Sequence, residues 1–228
     1  MGLDAAREQL HAAMRRLAAE GFVVGSAGNA SLRIDEGTAV VSAGGVPYDQ
    51  LVPGDHPVVD LHTGEWSDGR PPTSELALHL ALLRGLPGAD AVVHTHSPYA
   101  AGFSVAREPL EFVCNESAGV GSERILVTAP YAPPGSHDLA DAVIATLRRQ
   151  PGSRACLIAN HGPVAIGTTL DAAVLAVVQV EWIAKTSFVA RTVGRVHVVP
   201  PDQQDAIGRN YGFTIAREPG GPTAEVIT

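Results

Sequence analysis

Apolar positions open the chain at helical spacing. Leu3, Ala6, Leu10, Ala13, Met14 and Leu17 predict an amphipathic helix over residues 3–19, closed by Gly21. Alternation follows: Ser31 to Ile34 and Thr38 to Val41 flank Asp35-Glu36-Gly37 and predict a β-hairpin. Val58 to Leu61 and the segment around Trp66 predict another, turning at Thr63-Gly64. Leu76, Leu78, His79, Leu80, Leu82 and Leu83 then predict an apolar helix, ended by Gly85, Pro87 and Gly88. Thr73 or Ser74 can cap its start, with Glu75 in the electropositive first turn. Ala91-Val92-Val93 reads as a buried strand. A short helix is expected from Pro98 to Ser104, a strand from Ile125 to Thr128, and a helix from Ser136 to Arg149. Strands are expected near Cys156 and over Val164 to Ile166. Leu170 to Val193 is apolar on most faces, which predicts a largely buried helix that another subunit could help to cover. A last short helix runs from Pro201 to Tyr211, before a tail over 216–228 that reads as flexible. The segment from Glu111 to Gly121 has no clear period. No repeat or linker divides the chain, so 1–228 reads as one domain.

Successive strand side chains point to opposite faces, so His94 and His96 emerge together. Two imidazoles so placed can share one metal ion. A His-x-His pair alone is more often structural, and a third candidate changes that weighing. Cys156 to Ile158 leads through Asn160 to His161 at a glycine turn. Three neutral imidazoles on a divalent ion leave a position open, which marks a catalytic site. The helix-to-strand return can bring Glu75 to the same place. Gly25-Ser26-Ala27-Gly28-Asn29-Ala30-Ser31 is a small-residue turn in which Ser26, Asn29 and Ser31 offer hydrogen bonds to a ligand. Such turns also join elements with no ligand at all. Ser42-Ala43-Gly44-Gly45 is a second one.

Composition narrows the classes. The 228 residues, 45% hydrophobic and 18% charged, suit one globular domain with a sizeable core. A formal charge of −8 denies nucleic acid its usual electrostatic footprint. No apolar run is expected to span a membrane, and Met1-Gly2-Leu3-Asp4 does not read as a signal peptide. Cys114 and Cys156 are too few for a disulfide framework and read as small buried residues in a reduced, cytoplasmic setting. Of the 16 basic residues only Lys185 is a lysine, four positions after Glu181, which reads as an ordinary ion pair. Schiff-base chemistry needs a desolvated lysine amine, so activation of a carbonyl here is assigned to a metal.

Six motifs fall in order along nearly the whole chain. They are Gly28-Asn29-Ala30-Ser31, Val46-Pro47-Tyr48, Thr73-Ser74-Glu75, His94-Thr95-His96-Ser97, Ala129-Pro130-Tyr131-Ala132-Pro133-Pro134-Gly135 and Asn160-His161-Gly162. On these motifs the sequence resembles the class II aldolase/adducin family, whose metabolic members include fuculose-phosphate and rhamnulose-phosphate aldolases and ribulose-phosphate 4-epimerases. The resemblance implies an α/β fold with a central, mainly antiparallel sheet flanked by helices on both sides. It also implies a C4 homotetramer with active sites at subunit interfaces. A divalent metal is implied on His94, His96 and His161, usually zinc, although manganese, cobalt or nickel also suit such ligands.

The same resemblance makes Glu75 the acid/base residue, where the 4-epimerases typically carry Asp. It draws a phosphate pocket from Ser26, Asn29, Gly45, Thr73 and Ser74. Gly44 stands where the family usually has Ser or Thr, so that pocket lacks one hydroxyl. The tyrosine that aldolases carry before Ala129-Pro130-Tyr131 is absent. Glu116 falls in that region and resembles the acid/base glutamate of related dehydratases. Tyr211 is similar in placement to an aldolase tyrosine that reaches a neighbouring subunit; a tyrosine capping a helix end is the other reading.

The expected activity is metal-dependent retro-aldol cleavage, or the reverse addition, of a small sugar or sugar-phosphate through a metal-stabilised enediolate. Glu75 would move the proton. A decarboxylase generates the same enolate, and a dehydratase could use Glu116 as its acid. A non-catalytic, adducin-like interaction module is the alternative from another class, although that branch tends to lose the metal histidines.

Overall fold

The computed structural model describes residues 1–219. Its frame is a seven-stranded antiparallel sheet built from β1 (Asn29–Arg33), β2 (Thr38–Val41), β3 (Val58–Asp60), β4 (Trp66–Ser67), β5 (Ala91–His94), β8 (Ala155–Ile158) and β9 (Gly162–Gly167). The spatial order is β4-β3-β2-β1-β5-β9-β8. The strands β6 (Leu110–Glu111) and β7 (Arg124–Ile125) pair separately. The expected hairpins are present, with Ser31 opposite Val41 and Val59 opposite Trp66. At the centre β1 pairs with β5, Asn29 opposite His94, and β5 pairs with β9, His94 opposite Val164.

Alternation along the strands divides two cores. Ala30, Leu32, Ala91, Val93 and Ala165 face α1 (Leu3–Ala19), α3 (Pro98–Ala106) and α5 (Leu170–Val193). Ala39, Val41, Val92, Val164 and Ile166 face α2 (Leu76–Gly85) and α4 (His137–Arg148). Helices therefore cover both sides of the sheet, as expected. Ser136 caps α4, its hydroxyl accepting from Leu139 N at 3.1 Å. The remaining helix is α6 (Pro201–Asn210).

Several local expectations change. The α2 cap is Glu75 itself, with no capping side chain; Thr73 Oγ1 instead accepts from Glu75 N at 3.3 Å. The expected strand from Ile125 shortens to Arg124–Ile125, and beyond it Val127 only bridges Leu157. The unassigned 111–121 segment holds a 3-10 turn, Asn115–Val120. Residues 216–218 are anchored: Ala216 N donates to Gly121 O at 2.8 Å, and Arg149 pairs with Glu218 at 2.8 Å. The expected tail's residues 220–228 lie outside the described residues.

Finally, α5 is long and apolar enough to cross a membrane, contrary to the sequence expectation. Half of its most apolar stretch is buried within the fold, so it is read as a core helix. Leu175, Trp182 and Phe188 stay about half exposed, so its burial is less complete than expected. The buried Glu181 carboxylate accepts from Tyr99 N at 3.1 Å and Ala100 N at 2.8 Å, holding the start of α3. It makes no ion pair with Lys185, whose ammonium lies over the Tyr99 ring instead.

Candidate metal centre and active site

The centre forms where three chain turns meet at one end of β5 and β9. His94 is the last residue of β5 and wholly buried. Its Nδ1 lies 2.9 Å from the Pro163 carbonyl oxygen. A carbonyl only accepts, so the proton sits on Nδ1 and the Nε2 lone pair points away from it. That Nε2 is 3.0 Å from His96 Nε2 and 3.3 Å from Glu75 Oε2. His96, two residues on, is held through its amide, which donates to Phe22 O at 3.0 Å.

His161 arrives from the turn between β8 and β9, where Asn160 adopts a left-handed φ of 55°. Its amide donates to Ile158 O at 3.0 Å and to the Ser104 hydroxyl of α3 at 3.2 Å. Gly162 lets this turn close, because a Cβ there would run into the Thr95 carbonyl. Ligand atoms of His94, His96 and His161 all lie within 4.8 Å of one another. Burial lowers the pKa of all three, that of His94 to about 3. All are therefore neutral near pH ~7, with lone pairs free for a cation.

Glu75 is 4% exposed. Its Oε2 accepts from Asn29 Nδ2 at 2.9 Å, and its Oε1 lies 3.8 Å from His161 Nε2. Burial works to raise its pKa; the imidazoles of His94 and His161 and the Asn29 amide outweigh this and hold the carboxyl below the ordinary glutamate value. Glu75 Oε1 and His161 Nδ1 are buried without a hydrogen-bond partner. Three neutral imidazoles whose ligand atoms converge form a nitrogen donor set suited to a divalent transition metal, and an unpartnered carboxylate oxygen stands beside them, so the residues fit the implied metal.

The centre opens on a cleft of about 380 Å³. Ser26, Asn29, Gly44, Gly45, Thr73, Ser74, Glu75, His96 and His161 all line it, with no Lys or Arg among its lining residues. The 71–73 segment runs beside 42–44, with Thr73 N donating to Ser42 O and Gly44 N to Pro71 O, both at 2.9 Å. This brings the two loops to one place. A Cβ at Gly44 would lie 2.7 Å from the Pro72 carbonyl oxygen, so the missing hydroxyl has no room.

Not every expected residue gathers there. Ser31 is fully buried and turns to His79 rather than to the cleft. Glu116 is exposed on its 3-10 turn, and Tyr211 is 60% exposed after α6; neither lines the cleft. Sequence reading also missed Pro163, Ser104 and His79 as supporting groups. His79 alone left a signal, a histidine in an apolar run four residues after Glu75.

An antiparallel sheet carrying a three-imidazole cluster, with a carboxylate beside it, defines an α/β protein with a candidate catalytic metal centre. The chain belongs to the class II aldolase and adducin family: the model described as Class II Aldolase and Adducin N-terminal domain matches residues 8–188. It is 32% identical over 203 residues to a 5-methylthioribulose-1-phosphate/5-deoxyribulose-1-phosphate aldolase of Rhodospirillum rubrum, covering 89% of each chain. A 3-oxo-tetronate 4-phosphate decarboxylase of Pectobacterium atrosepticum is 33% identical over 179 residues, 74% of this chain and 77% of that protein. Among solved structures, an L-fuculose 1-phosphate aldolase superposes with a TM-score of 0.84 at 27% identity, covering 92% of this chain and 97% of its own.

Proposed function

We propose that this chain is a class II, metal-dependent aldolase, a lyase that makes or breaks a carbon–carbon bond in a small sugar-phosphate. The observation that carries the reading is the Glu75 carboxylate, buried 3.3 Å from His94 Nε2 and lining a loop-built cleft. A bound divalent cation would supply Lewis acidity to charge developing on a substrate oxygen. His94, His96 and His161 would hold it, and zinc is the reading we favour. Glu75 would carry the proton to and from the carbon beside the carbonyl. Asn29 fixes that carboxylate through Oε2 and leaves Oε1 free. With no cation among the cleft's lining residues, a phosphate would rest on backbone N–H groups and on the hydroxyls of Ser26, Thr73 and Ser74.

The decarboxylase relative supports a second reading on the same constellation, loss of a carboxylate beside a carbonyl. We further propose a homotetramer whose sites lie at subunit interfaces, with Tyr211 reaching a neighbour's site. The half-exposed Trp182 and Phe188 on α5 support such an association. A dehydratase would use Glu116 in the same way. The free thiols Cys114 and Cys156 suit the cytoplasm.

The deciding experiment incubates metal-loaded protein with dihydroxyacetone phosphate in heavy water. Metal-dependent deuterium incorporation at the hydroxymethyl carbon supports the aldolase. No exchange with metal bound shifts the reading to an unphosphorylated substrate, the decarboxylase or the dehydratase.

A further inference from the structure

Behind Glu75 a buried chain of polar groups runs from Asn29, which lines the cleft, back to His79 and Ser31, which do not. His79 is fully buried on α2, one helical turn after Glu75. Its Nε2 is 2.6 Å from Asn29 Oδ1, and its Nδ1 is 2.7 Å from Ser31 Oγ. Asn29 and Ser31 are alternate residues of β1, so both face α2.

The hydrogen-bond directions follow from one end. The Glu75 carboxylate only accepts, so Asn29 turns its NH2 toward Oε2 and its carbonyl oxygen toward His79. Nε2 of His79 must then carry the proton. Nδ1 is left as acceptor, and the Ser31 hydroxyl donates to it. Burial, which pushes His79 down to about 4, keeps the ring neutral and preserves this order. Reversing the Asn29 amide would set its carbonyl oxygen against the carboxylate.

We infer that His79, backed by Ser31, is a positioning residue that locks the Asn29 amide and through it the Glu75 carboxylate. The inference rests on the proposed role of Glu75 as the proton carrier. Without His79 the Asn29 amide is free to turn and Glu75 to leave its place, while the three imidazoles keep theirs.

The test combines spectra and kinetics on the full-length, metal-loaded protein. Long-range proton–nitrogen NMR, with the His79 signals identified by their loss in His79→Gln, should find the neutral Nε2–H form. The Nδ1–H form overturns the inference whatever the protein's activity. His79→Leu should lower kcat for deuterium exchange into dihydroxyacetone phosphate by about 10- to 100-fold, with wild-type metal content. His79→Gln, whose amide can still donate to Asn29, should recover most of that loss. A folded His79→Leu with wild-type kcat overturns the inference, as does His79→Gln falling equally far. If His79→Leu does not fold, Ser31→Ala removes only the donor to Nδ1: mixed tautomers with lowered kcat support the chain, and unchanged ones overturn it. Wild-type protein that binds metal but exchanges nothing overturns the functional reading instead, and the tautomer then decides the inference alone.

Discussion

His94 donates a hydrogen bond from its Nδ1–H to the Pro163 carbonyl oxygen, 2.9 Å away, and so turns a bare Nε2 toward His96 and Glu75. The orientation is set by backbone of β9 and does not depend on a ligand. The cluster should therefore take up a divalent cation without rearranging. Replacing His161 by Ala should weaken retention of that cation by roughly 10-fold or more, read as metal content after gel filtration. Unchanged content would remove His161 from the ligand set.

Glu75→Gln keeps the shape of the side chain and an oxygen near the site, yet cannot take up a proton. Exchange into dihydroxyacetone phosphate should fall by about 10²- to 10⁴-fold with the cation still bound. Full turnover in that variant would end the acid/base assignment.

Gly44 sits against the 71–73 segment, where a Cβ would be 2.7 Å from the Pro72 carbonyl and 3.2 Å from Thr73 Cα. Gly44→Ser should therefore push this segment outward and cost about 1–3 kcal/mol in urea unfolding. Substrate affinity should fall as well, because Thr73 and Ser74 move with it. A serine variant of wild-type stability and tighter phosphate binding would contradict the packing described.

Two buried histidines away from the metal ligands make stability depend on pH. Burial lowers both His56 and His79 from 6.5 to about 4. The unfolded chain binds a proton at each near 6.5, and the folded chain does not until about 4. Their stabilising effect is therefore complete above 6.5 and is lost as the pH falls toward 4. Metal-free protein should lose about 1.4 kcal/mol per pH unit for each of them in that window. Equal urea midpoints at about pH 7 and about pH 5 would refute this.

Glu181 holds the first two amides of α3 from the middle of α5. Glu181→Ala leaves both without a protein acceptor and should destabilise the fold by about 1–3 kcal/mol, read by thermal unfolding. A wild-type melting temperature would show that water replaces the carboxylate at no cost.

What was legible in the sequence was what local patterning encodes. Patterning placed α1 and α5 close to their observed bounds, and a short apolar strand and a glycine turn singled out His94, His96 and His161, although β5 ends at His94 and His96 lies beyond it. Side-chain direction was less accessible. Ser31 looked like a ligand donor because it lies in a small-residue motif, yet its partner His79 is 48 positions away. Glu181 looked like half of a helical ion pair, yet α3 claims its carboxylate. Such choices depend on which element packs opposite, and spacing along one element does not carry that information.

The sheet order has a consequence for how the protein is made. The centre needs β1 beside β5 and β5 beside β9, pairings between stretches far apart along the chain. A growing chain carries His94 and His96 long before it has His161, so only the closed sheet offers all three imidazoles. A cation that binds the finished state and not its precursors adds about 1.4 kcal/mol for each tenfold excess over Kd. Cation supply would then act on the lifetime of the completed protein rather than on the route by which its strands find one another.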